Sequence, residues 1–379
     1  MVIKNILLAS NLCKFINKKE LILLRNMSTE MNDVIVESIR DKGILTLNRP
    51  KALNALDLSM VKKILPTLIK WEQEKSLVIV KGAGEKSFCA GGDVKSIALA
   101  GQRGDPLGNV FFKHEYTMNG IIGTYKIPYV AFIDGIVMGG GVGLSVHGQY
   151  RVATERSLFA MPETQIGLFP DVGGSYFLPR LGGKLGLYLG LTGQRLKGYD
   201  MLKAGIATHY VNSASLPDLE KQLLDCCNAH DIDKVLKKFS VDGCADFSLA
   251  PYLKQINKCF SAPTVEAIVK ELEKDNSQWA QSTIKMLCKM SPTSMKVTKV
   301  LLERGAQISL HECLQMEYNV AVNTLAKNDF YEGVRALLID KDQSPKWKPA
   351  TLEDVSDDLV ESHFVQVSEG LTQEFRNKL

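Results

Sequence analysis

The chain has 379 residues, 45% of them hydrophobic and 23% charged, the balance of a soluble globular protein with one or two domains. Its net charge of +4 comes from scattered lysines and arginines without a basic block or interleaved aromatics, which argues against a nucleic-acid partner. No apolar run reaches the length of a membrane span, and the 8 cysteines make no CxxC pair or zinc-finger spacing, so reduced thiols are expected.

Residues 1–32 carry Lys4, Lys14, Lys18, Lys19 and Arg25 among Leu, Ile and Phe, with Glu20 the only acid before Glu30. This cationic, amphipathic stretch reads as a mitochondrial presequence with a mature start near Met27–Asp33. Lys14 interrupts the apolar run, which argues against a secretory signal. From Val34 two alternating segments flank Asp41-Lys42-Gly43 and predict a hairpin. NRPKALNAL (Asn48–Leu56) then leads into a helix over Ser59–Gln73, with Met60, Ile64, Leu68 and Trp71 on one face and Pro66 inside.

The apolar strand Leu77–Val80 runs into a glycine turn, SFCAGGDVK (Ser87–Lys95), with Asp93 near a helix cap. A helix is predicted over Val110–Thr124. Glu115 shares its spacing with Phe111, Phe112, Met118 and Ile122 and should face inward, where a carboxylate needs a salt bridge or a function. A buried strand over Pro128–Asp134 then meets a second glycine turn, Gly139, Gly140, Gly141 and Gly143. Glycines at a strand-to-helix junction leave amide groups exposed and unobstructed. Two such turns point to a pair of donors on one oxyanion, with Gly92 and Gly140 the candidates. Cys89 reads as a small buried residue, and His147 and His209 as structural histidines.

Beyond Leu181 the pattern turns helical. Ala262–Asp275 has Thr264 as its cap, and Ser291–Gly305 has Pro292 at its start and Gly305 past its end. His311–Leu325 continues the series. The tail after Ala350 is acidic and polar and has no assigned function.

Both glycine turns, with MPETQIGLFPDVGGSYFLPRL (Met161–Leu181), resemble the crotonase (enoyl-CoA hydratase/isomerase) superfamily, over roughly Val34–Pro349. The last motif looks like the branch that hydrolyses 3-hydroxyisobutyryl-CoA in valine breakdown. The resemblance implies an α/β fold: a crotonase-like spiral of stacked ββα units over 33–212, a helical C-terminal region over 213–350 packing on the active site, and a polar tail over 351–379. It also implies an acyl-CoA substrate, no cofactor beyond the CoA of that substrate, no metal, the mitochondrial matrix, and a homo-oligomer.

One departure matters. Gly143 stands where hydratases carry their first catalytic glutamate, while their second matches Glu163, and Asp171 replaces a glycine. The resemblance therefore makes Glu163 and Asp171 the catalytic pair and Gly92 and Gly140 the oxyanion hole. It gives substrate contacts to Glu115, Gly140, Glu163 and Asp171, with Lys51 near CoA and Lys346 and Lys348 as phosphate contacts. The alternatives are an enoyl-CoA hydratase/isomerase, against which Gly143 argues, and a non-catalytic acyl-CoA-binding homologue, against which Glu163 and Asp171 argue. Restoring a glutamate at Gly143 together with Asp171→Gly is expected to add weak hydration.

Overall fold

The computed structural model describes residues 33–243, 245–368 and 370–371; the segment read as a presequence lies outside them. Strands β1 (Val34–Ile39) and β2 (Lys42–Leu47) form the antiparallel hairpin predicted at Asp41, closed by Arg40 at φ 54°. Helix α1 (Leu58–Glu74) follows, its first turn capped by the Asp57 carboxylate on the Met60 amide. It presses Met60, Ile64, Leu68 and Trp71 onto the core, as their spacing predicts.

Three strand pairs then repeat one pattern. They are β3 (Leu77–Gly82) with β4 (Ser87–Cys89), β5 (Tyr129–Ile133) with β6 (Ile136–Met138), and β7 (Tyr150–Ala153) with β8 (Leu158–Ala160). The first strand of each pair joins a six-stranded sheet, ordered β1-β2-β3-β5-β7-β10, and the second joins a four-stranded sheet, ordered β4-β6-β8-β9. Strands β9 (Leu196–Lys197) and β10 (His209–Tyr210) complete the two sheets. The helices between pairs are α2 (Val94–Gly101), α3 (Leu107–Gly123) and α4 (Gly140–Ser145). This is a spiral of ββα turns; its first two turns put glycine-rich junctions after the neighbouring parallel strands β4 and β6 of the small sheet, and the third puts Glu163 after β8.

Inside its exposed edge strand β1 the large sheet is buried on both faces, which is why β3 and β5 read as continuous apolar runs. Val78, Val80, Ala131 and Ile133 face the main core. Leu77, Ile79, Val130 and Phe132 face a second cluster with Leu219, Leu223, Ile232 and Leu236. Those last four come from α8 (Leu216–Leu224) and α9 (Ala229–Phe239). Part of the helical region therefore covers the back of the sheet rather than the active site.

The remaining helices are α5 (Gly174–Phe177), α6 (Leu185–Thr192), α7 (Tyr199–Lys203), α10 (Leu253–Cys259), α11 (Val265–Asp275), α12 (Gln278–Leu287), α13 (Pro292–Gly305), α14 (Leu310–Leu325), α15 (Asn328–Val334) and α16 (Asp357–Glu361). A π-helical turn, Arg335–Ile339, extends α15. Thr264 caps α11 as expected. Gly305 is the last residue of α13 rather than the residue past its end, and a Cβ there would collide with the Ser175 carbonyl. The tail is docked: Val355, Val360 and Leu371 are buried in the main core. Among the described residues no helix is long and apolar enough to cross a membrane.

Candidate active site

The loop NRPKALNAL is a brace for the first glycine turn. The Asn54 amide donates to the carbonyls of Ala83 and Ser87, each at 2.9 Å. Arg49 donates to the Ala55 carbonyl at 2.7 Å and pairs with Asp57 at 3.1 Å and Asp93 at 3.3 Å. Leu56 then bonds both sides of Gly92, donating to the Gly91 carbonyl at 2.8 Å and accepting from the Asp93 amide at 2.7 Å. That pairing turns the Gly92 N–H away from Leu56.

The second glycine turn lies directly alongside. A Cβ on Gly141 would strike the Cys89 carbonyl, and one on Gly140 would come within 3.3 Å of the Gly92 nitrogen. Only glycines allow this approach. Neither the Gly92 nor the Gly140 amide donates to any of the described residues. The two glycine turns thus lie side by side, and each leaves a backbone donor without a protein acceptor among the described residues, as an oxyanion hole requires.

Three carboxylates share the cavity of about 290 Å³ that these amides line: Glu115 from α3, Glu163 at the start of the 3-10 turn after β8, and Asp171 from the FPDVGG turn. All three are buried. Side chains added at Gly140 and Gly139 would meet the carboxylates of Glu115 and Glu163 respectively, so the two acids flank the glycine turn. Asp171 accepts a 2.7 Å hydrogen bond from the Tyr116 hydroxyl. One oxygen each of Glu115 and Glu163 has no hydrogen-bond partner among the described residues, and no ion pair to Glu115 is found there.

Burial without a cation dominates the electrostatics. It pushes Glu163 well above the usual carboxylate range, and neighbouring Asp171 pushes it further. Glu115 is raised by burial, then by Asp171 and Glu163. Burial lifts Asp171 to about 6, against the lowering effect of its Tyr116 hydrogen bond. Three neighbouring carboxyls shielded from bulk solvent do not all ionise together, so protons are shared among the three.

The hydratase carboxylate has no room to return. A Cβ on Gly143 would lie 2.7 Å from both the Asn119 side-chain nitrogen and the Val172 Cβ. In the native packing a side chain at Gly143 therefore requires Asn119 or the Val172 turn to shift, a demand that Gly143→Glu with Asp171→Gly has to meet before it can add hydration. Cys89 is buried and its thiol is pushed to about 12, which keeps it inert. His147 is lowered to about 4 by burial and donates from Nε2 to the Val172 carbonyl at 2.7 Å. His209 is half-buried and bonded to the Thr208 hydroxyl.

The lysines are placed apart. Lys51 is exposed on the 3-10 turn Pro50–Ala52, Lys346 and Lys348 are exposed near the C-terminus, and the cavity is lined by none of them. The cation that does line it is Arg195, on the connection from α6 to β9. Leu337 and Leu338 of the π turn also line it, with Val94, Phe111 and Phe112. Sequence reasoning missed Tyr116, Arg195 and these leucines. Tyr116 adjoins Glu115, but its partner Asp171 is 55 residues away.

Residues 42–364 match the family profile described as enoyl-CoA hydratase/isomerase. The chain belongs to the enoyl-CoA hydratase/isomerase family. The chain is 54% identical over 346 residues to a Danio rerio protein named 3-hydroxyisobutyryl-CoA hydrolase, mitochondrial, covering 89% of this chain and 91% of that one. The Homo sapiens protein of the same name is 52% identical over 340 residues, 88% of each chain. Among solved structures of this family, a carnitinyl-CoA dehydratase from Mycobacterium thermoresistibile aligns with a TM-score of 0.85 at 38% identity, covering 90% of this chain and 99% of that one. An enoyl-CoA hydratase from Rhodobacter sphaeroides 2.4.1 aligns at 0.83 with 36% identity, covering 90% and 100%.

Proposed function

We propose that this member of the enoyl-CoA hydratase/isomerase family is a mitochondrial thioesterase that hydrolyses 3-hydroxyisobutyryl-CoA, releasing 3-hydroxyisobutyrate and CoA. The observation that carries it is the exchange of carboxylates: Gly143 leaves no space for a hydratase glutamate, while Asp171 stands beside Glu163 in the cavity wall. The names of the relatives at 52–54% identity support the same substrate.

In this reading the thioester oxygen sits on the Gly92 and Gly140 amides. Loss of one such donor typically costs ~3 kcal/mol of transition-state stabilisation. Glu163 in its ionised form either takes a proton from water, whose oxygen bonds directly to the acyl carbon, or attacks the acyl carbon itself to give an anhydride that water then opens at the Glu163 carboxyl carbon; in both routes the C–S bond breaks. The proton held among the carboxylates passes to the departing thiolate. Glu115, with a free oxygen, takes the 3-hydroxyl. Arg195 at the cavity edge meets the CoA phosphates, with Lys51, Lys346 and Lys348 further out. The reaction needs water and acyl-CoA and no other cofactor.

The test compares thiol release from 3-hydroxyisobutyryl-CoA with hydration of crotonyl-CoA. Efficient hydration without thiol release refutes the proposal, and thiol release no faster than the enzyme-free control points to a non-catalytic binder. A single turnover in ¹⁸O-water separates the two roles of Glu163, because only the attack route labels its carboxylate. A reporter carrying residues 1–32 should enter mitochondria; diffuse cytosolic signal would refute that part.

A further inference from the structure

The turn that carries Asp171 has a backbone form that few side chains adopt. Val172 is β-branched yet has φ 52°, and Gly173 follows at φ 84°. Such a residue is a genuine outlier and persists only when its surroundings enforce it. Tyr116 holds the Asp171 carboxylate, and His147 holds the Val172 carbonyl. The third restraint is Glu317, on α14. Its Oε2 accepts from the Gly173 amide at 2.7 Å, and its Oε1 accepts from the Ser175 amide at 2.9 Å and from the Ser175 hydroxyl.

Glu317 is fully buried, and no cation pairs with it among the described residues. A buried carboxylate without a cation is costly to keep. Burial pushes Glu317 up to about 8 against the lowering effect of its hydrogen bonds from Ser175 and Gly173; these donors fall on both of its oxygens, and an amide side chain offers only one acceptor. Glu317 does not line the cavity.

We infer that Glu317 is a positioning residue for the hydrolysis, fixing the Asp171–Ser175 turn so that the Asp171 carboxylate keeps its place beside Glu163. The inference rests on the proposed role of Asp171 in catalysis. Glu317 touches no substrate and acts through Asp171.

A double-mutant cycle tests this. Glu317→Gln turns an NH₂ donor toward an amide or hydroxyl donor. It should lower kcat for thiol release about tenfold or more with KM within about twofold, because geometry in the reacting state is lost and binding is not. Glu317→Asp, which keeps both acceptors, should recover part of the rate. In an Asp171→Asn background, Glu317→Gln should cause no further loss. Wild-type kcat in Glu317→Gln overturns the inference, as does an equal loss in both backgrounds, which would mark general loosening. Wild-type kcat in Asp171→Asn alone is the separate outcome that removes the role of Asp171, and the inference falls with it. If Glu317→Gln does not fold, Ser175→Ala removes one donor, and the same cycle applies: a smaller loss absent from the Asp171→Asn background upholds the inference, and an additive or absent loss overturns it.

Discussion

At the scale of the residue, activity and stability should respond to pH in opposite directions. Glu115, Glu163 and Asp171 all have carboxyls raised in the fold, chiefly by burial. A raised folded pKa means that the protonated form is favoured in the native state. The stability from each site is therefore fully present below its unfolded value and is lost as pH rises through its folded value. For Asp171 that window runs from 3.8 to about 6, and the two glutamates extend it upward. In the proposed role Glu163 acts in its ionised form, so turnover should rise over the pH range in which stability falls. Thermal unfolding should show a lower Tm at pH 8 than at pH 5, and Glu163→Gln should reduce that drop. The same substitution should cut kcat by about 10²–10⁴-fold with substrate still bound. A variant with an unchanged pH dependence of Tm and near wild-type thiol release would remove Glu163 from its assigned role. Asp171→Asn should lower the rate with a different pH profile, since it takes one proton site out of a coupled set.

At the scale of the element, the legible features were those set by local chemistry. The caps at Asp93 and Thr264, the hairpin at Asp41 and the inward face of α3 depend on neighbours a few residues away, and sequence spacing records them. Gly305 shows where that record stops. A glycine at a helix end reads as a terminator, but here its role is to admit the Ser175 carbonyl, a partner 130 positions earlier in the chain. Gly305→Ala should therefore force α13 away from the turn that follows Asp171. Overpacking of this kind costs ~1–3 kcal/mol, although the substitution raises helix propensity. Urea unfolding measures the sign. Stabilisation would mean that the helix end accommodates the methyl freely and that the close approach carries no constraint.

At the scale of the whole molecule, the alternation of strands and helices was readable as α/β, while the assignment of alternate strands to two sheets was not. Neighbouring pairs such as β3 and β4 look alike as short apolar runs, and only the tertiary fold sends them to different sheets. The site followed a similar division: the glycine turns and Glu163 stood in motifs, whereas Tyr116, Arg195 and Glu317 meet the site only through contacts distant in sequence. The tail was the least legible part, because its acidic surface residues conceal the few that dock. Val355, Val360 and Leu371 are buried, the Asn323 side chain donates to the carbonyls of His363 and Val365 at 2.9 and 2.8 Å, and Arg304 pairs with Glu361 at 2.6 Å. Burying an aliphatic side chain contributes ~1.5–3 kcal/mol, and an exposed ion pair adds little. A chain ending at Pro349 should thus lose several degrees of Tm through its apolar contacts. Its kcat at a temperature where it remains folded should stay within about twofold of the full chain, because the cavity is lined by no residue beyond Leu338. An unchanged Tm would show that the docked tail contributes no stability. Loss of turnover in folded, truncated protein would show instead that the tail holds α13 and α14 in place, and through them the turn that presents Asp171.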